Sequence, residues 1–274
     1  MPVISTNTAA NTALRYLNAN SAAQSASVAK LSSGQRIQSA KDDAAGLATS
    51  TNIAADVVVL EQASINAQQG TAVLQTADGA LSQISDILQR MKSLTAQSQT
   101  GSVDDDGRAN IDAEYQQLLE EIGDIATSTN FNGSTLLDGA GDYASGVSFL
   151  LGTSSTDTLT VTIDGVTASD LGIDGTDVTS ADNAATAMDA IDTAINTIST
   201  SRANVGASLS RFDYRASVID TSLENLEAAK SAISDVDLAS EQTNYTTLST
   251  LTQAAIAALS QANSMSQSLL KLLQ

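Results

Sequence analysis

Apolar residues recur three and four positions apart over most of this 274-residue chain, the spacing that gathers them on one face of a helix. From residue 44 to about 99 one column falls seven apart: Ile53, Leu60, Ala67, Leu74, Leu81 and Leu88. A second follows three places later (Ala63, Gly70, Ala77, Ile84, Met91), and a third, Val59, Val73, Ala80, Ile87 and Leu94, widens the face. Three positions in seven suit a helix packed among several others better than one in a two-stranded coil. A continuous helix here would be ~80 Å long at 1.5 Å per residue. Between 182 and 236 the column Ile191, Ile198, Val205, Phe212, Ile219, Leu226, Ile233 has no exception. Its companion column, Met188, Ile195, Arg202, Leu209, Ala216, Leu223, Lys230, carries two cations that are expected to snorkel at the edge of the face. Ile111, Tyr115, Leu118, Ile122 and Ile125 predict a shorter helix. Each chain end has a weaker stripe: Ala10, Leu14, Leu17, Ser21, Gln24, Val28, Leu31 in the first arm and Leu248, Leu251, Ala255, Ala258, Ala262, Met265, Leu269, Leu272 in the last. The one proline is Pro2, so none interrupts these helices.

Gly, Asp, Asn, Ser and Thr gather between about 129 and 180. There, residues 158–164 alternate with Leu159, Val161 and Ile163 inward and Thr160 and Thr162 outward, followed by Asp164-Gly165. This reads as a strand and hairpin turn, with residues 147–151 as a second strand. The expected architecture is mainly α: a long antiparallel helical coiled-coil or bundle rod over 43–235, with a small β-hairpin region at about 138–180. Residues 1–42 and 236–274, the two chain ends, form a terminal two-helix domain.

Charge sharpens this plan. The chain has 12 Lys and Arg against 31 Asp and Glu, a net of −19. Residues 1–41 hold four bases and no acid, and residues 242–274 hold Lys271 and no acid, so every acid lies in the middle. Solvated tails are usually rich in charge, which marks these two ends for burial. Their apolar residues are small, however, and a single pair of such helices is marginal in water. Stacking against copies of the same chain would supply the missing partners, so the pattern predicts self-assembly.

The absence of cysteine and histidine excludes disulfides, thiolate nucleophiles, Cys/His zinc sites and a Ser-His-Asp triad. The negative balance argues against a broad phosphate-binding surface. No apolar run is long enough for a membrane span, and the first thirty residues lack the charged head and apolar middle of a cleavable secretory signal. Either the protein stays in the cytosol or it leaves by a route that needs no such signal. Asp104-Asp105-Asp106-Gly107 resembles half a calcium loop, but acids also favour a helix start, and that reading is preferred. Glu120, Glu121, Asp124, Asp189 and Asp192 fall on polar helix faces, where paired carboxylates are solvated rather than catalytic. No metal, cofactor or catalytic residue is expected.

Several words along the chain carry a resemblance. Leu31-Ser32-Ser33-Gly34, Arg36-Ile37 and the run from Ser39 to Leu47 are similar to the N-terminal signature of bacterial flagellin. Gln75-Thr76-Ala77-Asp78-Gly79-Ala80-Leu81, Asn130-Phe131-Asn132-Gly133, Arg202-Ala203-Asn204-Val205-Gly206-Ala207, Glu224-Asn225-Leu226 and Gln261-Ala262-Asn263 follow in that family's order. The resemblance spans essentially the whole chain and implies a minimal flagellin without outer variable domains. It implies a non-enzymatic, extracellular filament subunit for swimming, exported unfolded through the flagellar type III channel. The implied partners are many copies of itself, the flagellar junction, cap and export chaperone proteins, and host innate immune receptors, with no nucleic acid and no membrane insertion. A related axial junction or cap-associated protein is the runner-up. The arms would then supply the subunit interface through Leu14, Leu17, Val28, Leu31, Leu248, Leu251, Leu259, Leu269 and Leu272. Gly34, Arg36, Lys41, Asp42, Asp43 and Gly46 suit an irregular hinge between the terminal domain and the rod. The segment 29–50 also matches an epitope read by a plant immune receptor. Arg90, Leu94 and Glu114 match the positions by which an animal innate receptor reads the family.

Overall fold

The computed structural model describes residues 6–272, with side chains through residue 268. Helix α1 (Thr8–Ser33) leads to α2 (Ala44–Ser98) and α3 (Asp105–Ser128). Two short strands, β1 (Asn130–Phe131) and β2 (Ser134–Thr135), and a single helical turn, α4 (Asp142–Ser145), precede β3 (Val147–Leu150) and β4 (Thr158–Val161). The chain then runs through α5 (Ala181–Ser234) and α6 (Leu238–Leu272). It is mainly α, as expected.

The described chain divides into two compact units, residues 56–224 and residues up to 55 together with those from 225. The expected borders, 42 and 236, lie outside these, because the first turns of α2 and the last turns of α5 cluster with the chain ends. Sequence gives no sign of this border, since both helices cross it unbroken.

Residues 56–224 hold a closed core. On α2 the seam Leu60, Ala67, Leu74, Leu81 and Leu88 is buried, with Ala63, Gly70, Ala77, Ile84 and Met91 beside it. Val59, in the expected third column, is exposed. On α5 Ile191, Ile198, Val205, Phe212 and Ile219 are buried, but the expected companion column is only half-buried. The deeper column is Ala187, Ala194 and Ser201 on the other side, while Ala184 extends the main one. Small residues there let a neighbouring backbone approach, which leaves the larger companions, Arg202 among them, at the rim. Phe212 shows the closeness: a Cβ on Gly70 would lie 2.5 Å from its ring carbons, and the ring meets Phe149 edge-on at 5.4 Å. Helix α3 adds Ile111, Tyr115, Ile122 and Ala126. Three ion pairs join these helices: Arg90 with Glu114, Lys92 with Asp192, and Arg202 with Asp78.

The β region caps one part of this core. β3 pairs antiparallel with β4, Val147 opposite Val161 and Leu150 opposite Thr158, with Leu159, Val161 and Ile163 buried and Thr160 and Thr162 exposed as expected. The turn itself is not at Asp164-Gly165. The chain reverses between β3 and β4, where Leu151 N donates to Asp157 O at 2.8 Å and Asp157 N to Ser154 O at 3.0 Å. A second hairpin joins β1 to β2 through Asn132 and Gly133, both at positive φ (51° and 83°), the two-residue turn that Asn-Gly favours. Beyond β4, Val166, Leu171, Ile173 and Val178 are buried although their backbone is irregular. They are held by Ser98 Oγ donating to Val178 O at 2.6 Å, Val178 N donating to Asp112 Oδ1 at 3.0 Å, and Tyr115 hydroxyl sharing a bond with Thr176 Oγ1 at 2.7 Å. Burial pushes the Tyr115 phenol above its ordinary range, and nearby Asp112 and Asp177 add to this against the Thr176 bond.

Candidate functional site

The chemistry of this chain lies in what its surfaces leave uncovered. Among the described residues no group of three or more His, Cys, Asp or Glu side chains is placed to hold a metal ion. Asp104 instead caps α3, its Oδ1 accepting from Gly107 N at 2.9 Å, with Asp105 and Asp106 in the first turn. No described helix is long and apolar enough to cross a membrane.

In the unit built from the two ends, α1 and α6 pack antiparallel. Asn7 Nδ2 donates to Ala262 O at 3.0 Å and to Ser266 Oγ at 2.7 Å, and Ser27 Oγ donates to Glu241 Oε1 at 2.5 Å. The inward stripe of α1 is Ala10, Ala13, Leu17, Asn20, Gln24, Ser27 and Leu31, and that of α6 is Glu241, Tyr245, Leu248, Thr252, Ala255, Leu259 and Ala262. Both follow a strict alternation of three and four, yet only Ser27 is fully buried; the rest are half-covered. Small and polar side chains thus share the seam with a few Leu, and other large apolar ones point away. Leu14 is 45% exposed, Val28 47% and Leu251 46%, with Tyr16, Ile256 and Met265 exposed beside them. The expected interface residues therefore separate into two sets. Leu17, Leu31, Leu248 and Leu259 are half-covered within the pair, whereas Leu14, Val28 and Leu251 face outward. Leu269 and Leu272 lie outside the residues whose side chains are described.

The expected hinge is closely tied. Gly34 ends α1 in the left-handed conformation, φ 71°, and its N–H donates to Lys30 O at 2.9 Å. Arg36 N donates to Ser234 O at 2.7 Å, Arg36 Nη2 to Ile233 O at 2.7 Å, and Val236 N to Gly34 O at 3.0 Å, so this segment pairs with the break between α5 and α6. Asp42 accepts from Gln38 N, Ser39 N and Ser39 Oγ, and the Ser39 hydroxyl bond is the main reason its carboxyl sits below the ordinary range. Asp43 Oδ1 accepts from Gly46 N at 2.9 Å at the start of α2. A Cβ on Gly46 would fall 2.5 Å from Asp43 and 2.7 Å from buried Ile37. Lys41 is exposed.

Of the receptor trio, Arg90 is exposed and Glu114 half-buried, and the two are bonded to each other, Nη2 to Oε1 at 2.6 Å and Nε to Oε1 at 2.9 Å. Leu94 is only 2% exposed, so its side chain belongs to the core rather than to a surface patch in the free chain. Its burial is the reason it sits in the apolar column read from the sequence.

Comparison with known proteins identifies this arrangement. Residues 4–142 match the family model for the bacterial flagellin N-terminal helical region, and residues 188–273 match that for the C-terminal helical region. The chain is 38% identical to the flagellar filament 30.7 kDa core protein of Treponema maltophilum, covering 99% of both chains. It is also 38% identical to a flagellin of Halalkalibacterium halodurans, covering 99% of this chain and 100% of that one. Among solved structures, Bacillus cereus flagellin matches with 33% identity and a TM-score of 0.50, over 56% of this chain and 88% of that one. Long seamed helices, paired ends with outward apolar residues and near full-length similarity converge on one conclusion: the chain belongs to the bacterial flagellins, structural subunits of the extracellular flagellar filament rather than enzymes.

Proposed function

We propose that the paired chain ends are the assembly surface, and that Leu14, Val28 and Leu251 are covered by neighbouring copies in the filament. Supporting this, large apolar side chains face outward on a helix pair whose own seam gives many of its positions to small or polar residues, Ala13, Asn20, Gln24 and Ser27 among them. Half-covered helices are marginal alone, and burial against copies offsets the entropy of ordering them. Polymerisation then completes the folding of this unit. The segment from Gly34 to Gly46 acts as the joint through which α1 connects to α2 during that step.

Membership of the family supports one route out of the cell: export through the flagellar type III channel as an unfolded chain, with junction, cap and chaperone proteins as handling partners. A chain without cysteine cannot form disulfides that would block such threading. Recognition by host innate receptors would centre on Arg90 and Glu114, with Leu94 underneath them.

Replacing Leu14, Val28 and Leu251 together by Asp tests the assembly surface. These side chains are already in water, so the monomer should keep its helix content while ammonium sulfate no longer yields filaments in electron micrographs. Normal filaments from this variant would end the proposal.

A further inference from the structure

Residues 56–224 satisfy their charges unevenly. They carry 25 acids and six bases. Four of the bases meet carboxylates: Arg90, Lys92, Arg108 and Arg202. The other two, Arg211 and Arg215, pair with no carboxylate among the described residues, although acids outnumber bases fourfold here. They sit one turn apart on α5, and Tyr214 (76% exposed) and Val218 (57% exposed) complete the same face at the helical spacing of three and four.

The other exposed large apolar residues of this unit are Val58, Val59 and Ile65, all on α2. They line a shallow groove of about 440 Å³ walled by Leu150, and Glu61 stands in it without an ion pair among the described residues. Single exposed apolar residues are ordinary. Here, however, all five of the unit's exposed large apolar side chains fall in two patches. One patch holds the two unpaired arginines, and the other holds an unpaired glutamate.

We propose that these patches are the two halves of one contact between successive copies. The Arg211–Tyr214–Arg215–Val218 face of one subunit lies in the Val58–Ile65 groove of the next, and its guanidinium groups take Glu61. The occupant is a second copy because each patch offers what the other lacks in charge and matches it in apolar surface. Arginine's planar fork suits a carboxylate, and Arg and Tyr are the side chains that most often anchor interfaces. Two unlike patches make a heterologous contact, the kind that repeats into an open helical polymer. The inference deepens the assembly reading above and rests on it: the chain ends supply the burial, and this contact supplies register in a unit that otherwise repels its copies.

Charge reversal tests it in the full chain. R211E/R215E and E61K alter exposed side chains only, so circular dichroism and melting of both monomers should match the parent. In seeded growth at near-physiological salt, each variant alone should raise the critical concentration about tenfold or more, by placing like charges together. An equimolar mixture should restore growth, because each copy then meets an opposite charge at both patches. The triple variant should do likewise. If the parent grows and either single-patch variant grows as well as it does, this contact is wrong while the assembly reading stands. A mixture as impaired as its components would also overturn it. If the parent itself does not assemble, both readings fall together.

Discussion

The two units of this chain solve the same packing problem to different degrees. In residues 56–224 the α2 and α5 seams sink to 0–6% exposure, and no described buried side-chain polar atom lacks a hydrogen bond. In the unit made from the ends the same helices lose that depth: Ile53 precedes the buried run on α2, Leu226 and Ile233 follow it on α5, and all three are only half-buried. Charge divides along the same line. The ends carry six acids and six bases, so the whole net charge of −19 sits in residues 56–224. One unit is closed within the chain and carries the net charge, while the other is neutral and half-covered, with large apolar side chains on its outside. A polymer subunit needs both, since a surface sticky everywhere would aggregate before it reached the filament tip.

Truncating the core should expose the contrast most strongly. Phe212→Ala or Leu88→Ala removes a side chain with no exposure and should cost about 3–5 kcal/mol in monomer unfolding. Leu17→Ala or Leu248→Ala, half-covered between α1 and α6, should cost about 1 kcal/mol or less in the same measurement and act mainly on assembly. Equal losses in the two units would erase the distinction. A smaller effect is expected at Gly70→Ala. The new methyl would crowd the Phe212 ring and should destabilise the monomer by about 1–3 kcal/mol in denaturant titration.

The seams of α2 and α5 were legible because large apolar residues at heptad spacing there are buried within the chain. On α1 the same logic fails by one position. Leu14, Ser21 and Val28 read as inward, but the covered positions are Ala13, Asn20 and Ser27. Ranking by hydrophobicity presumes that a chain buries its own best residues, and here Leu14 and Val28 stay exposed instead. The Asn132-Gly133 dipeptide, by contrast, signals its two-residue turn in sequence alone. Leu171, Ile173 and Val178 escaped because an irregular backbone has no period to betray which side chains face inward. The unpaired state of Arg211, Arg215 and Glu61 is likewise invisible in sequence, since it depends on which acids reach which bases in space.

Salt should move assembly more than folding. Net negative surfaces repel within ~8–10 Å at ordinary ionic strength, so added salt, sulfate especially, should lower the critical concentration for filament growth. A steady rise in critical concentration with salt would contradict the charge division. Acid should act weakly and in the other unit. The Glu241 carboxyl is held below its ordinary value of 4.5 chiefly by the Ser27 hydroxyl, with Asn244 and Lys30 assisting. A depressed carboxylate stabilises the folded chain above its unfolded pKa, and that contribution is lost as pH falls from about 4.5 through the folded value. Glu241→Gln, which keeps an acceptor for Ser27 but cannot titrate, should flatten the acid limb of helix loss followed by circular dichroism. An unchanged limb would show that the bond adds nothing to the pairing of α1 with α6.

The central claim is that the paired ends are completed by neighbouring copies, and hydrogen exchange followed by mass spectrometry tests it most directly. In the free monomer, amides of α1 and α6 should exchange far faster than those of the buried α2 and α5 seams in residues 56–224. In the assembled filament α1 and α6 should become as protected as those seams. Ends already as protected in the monomer, or no slower in the filament, would contradict the account.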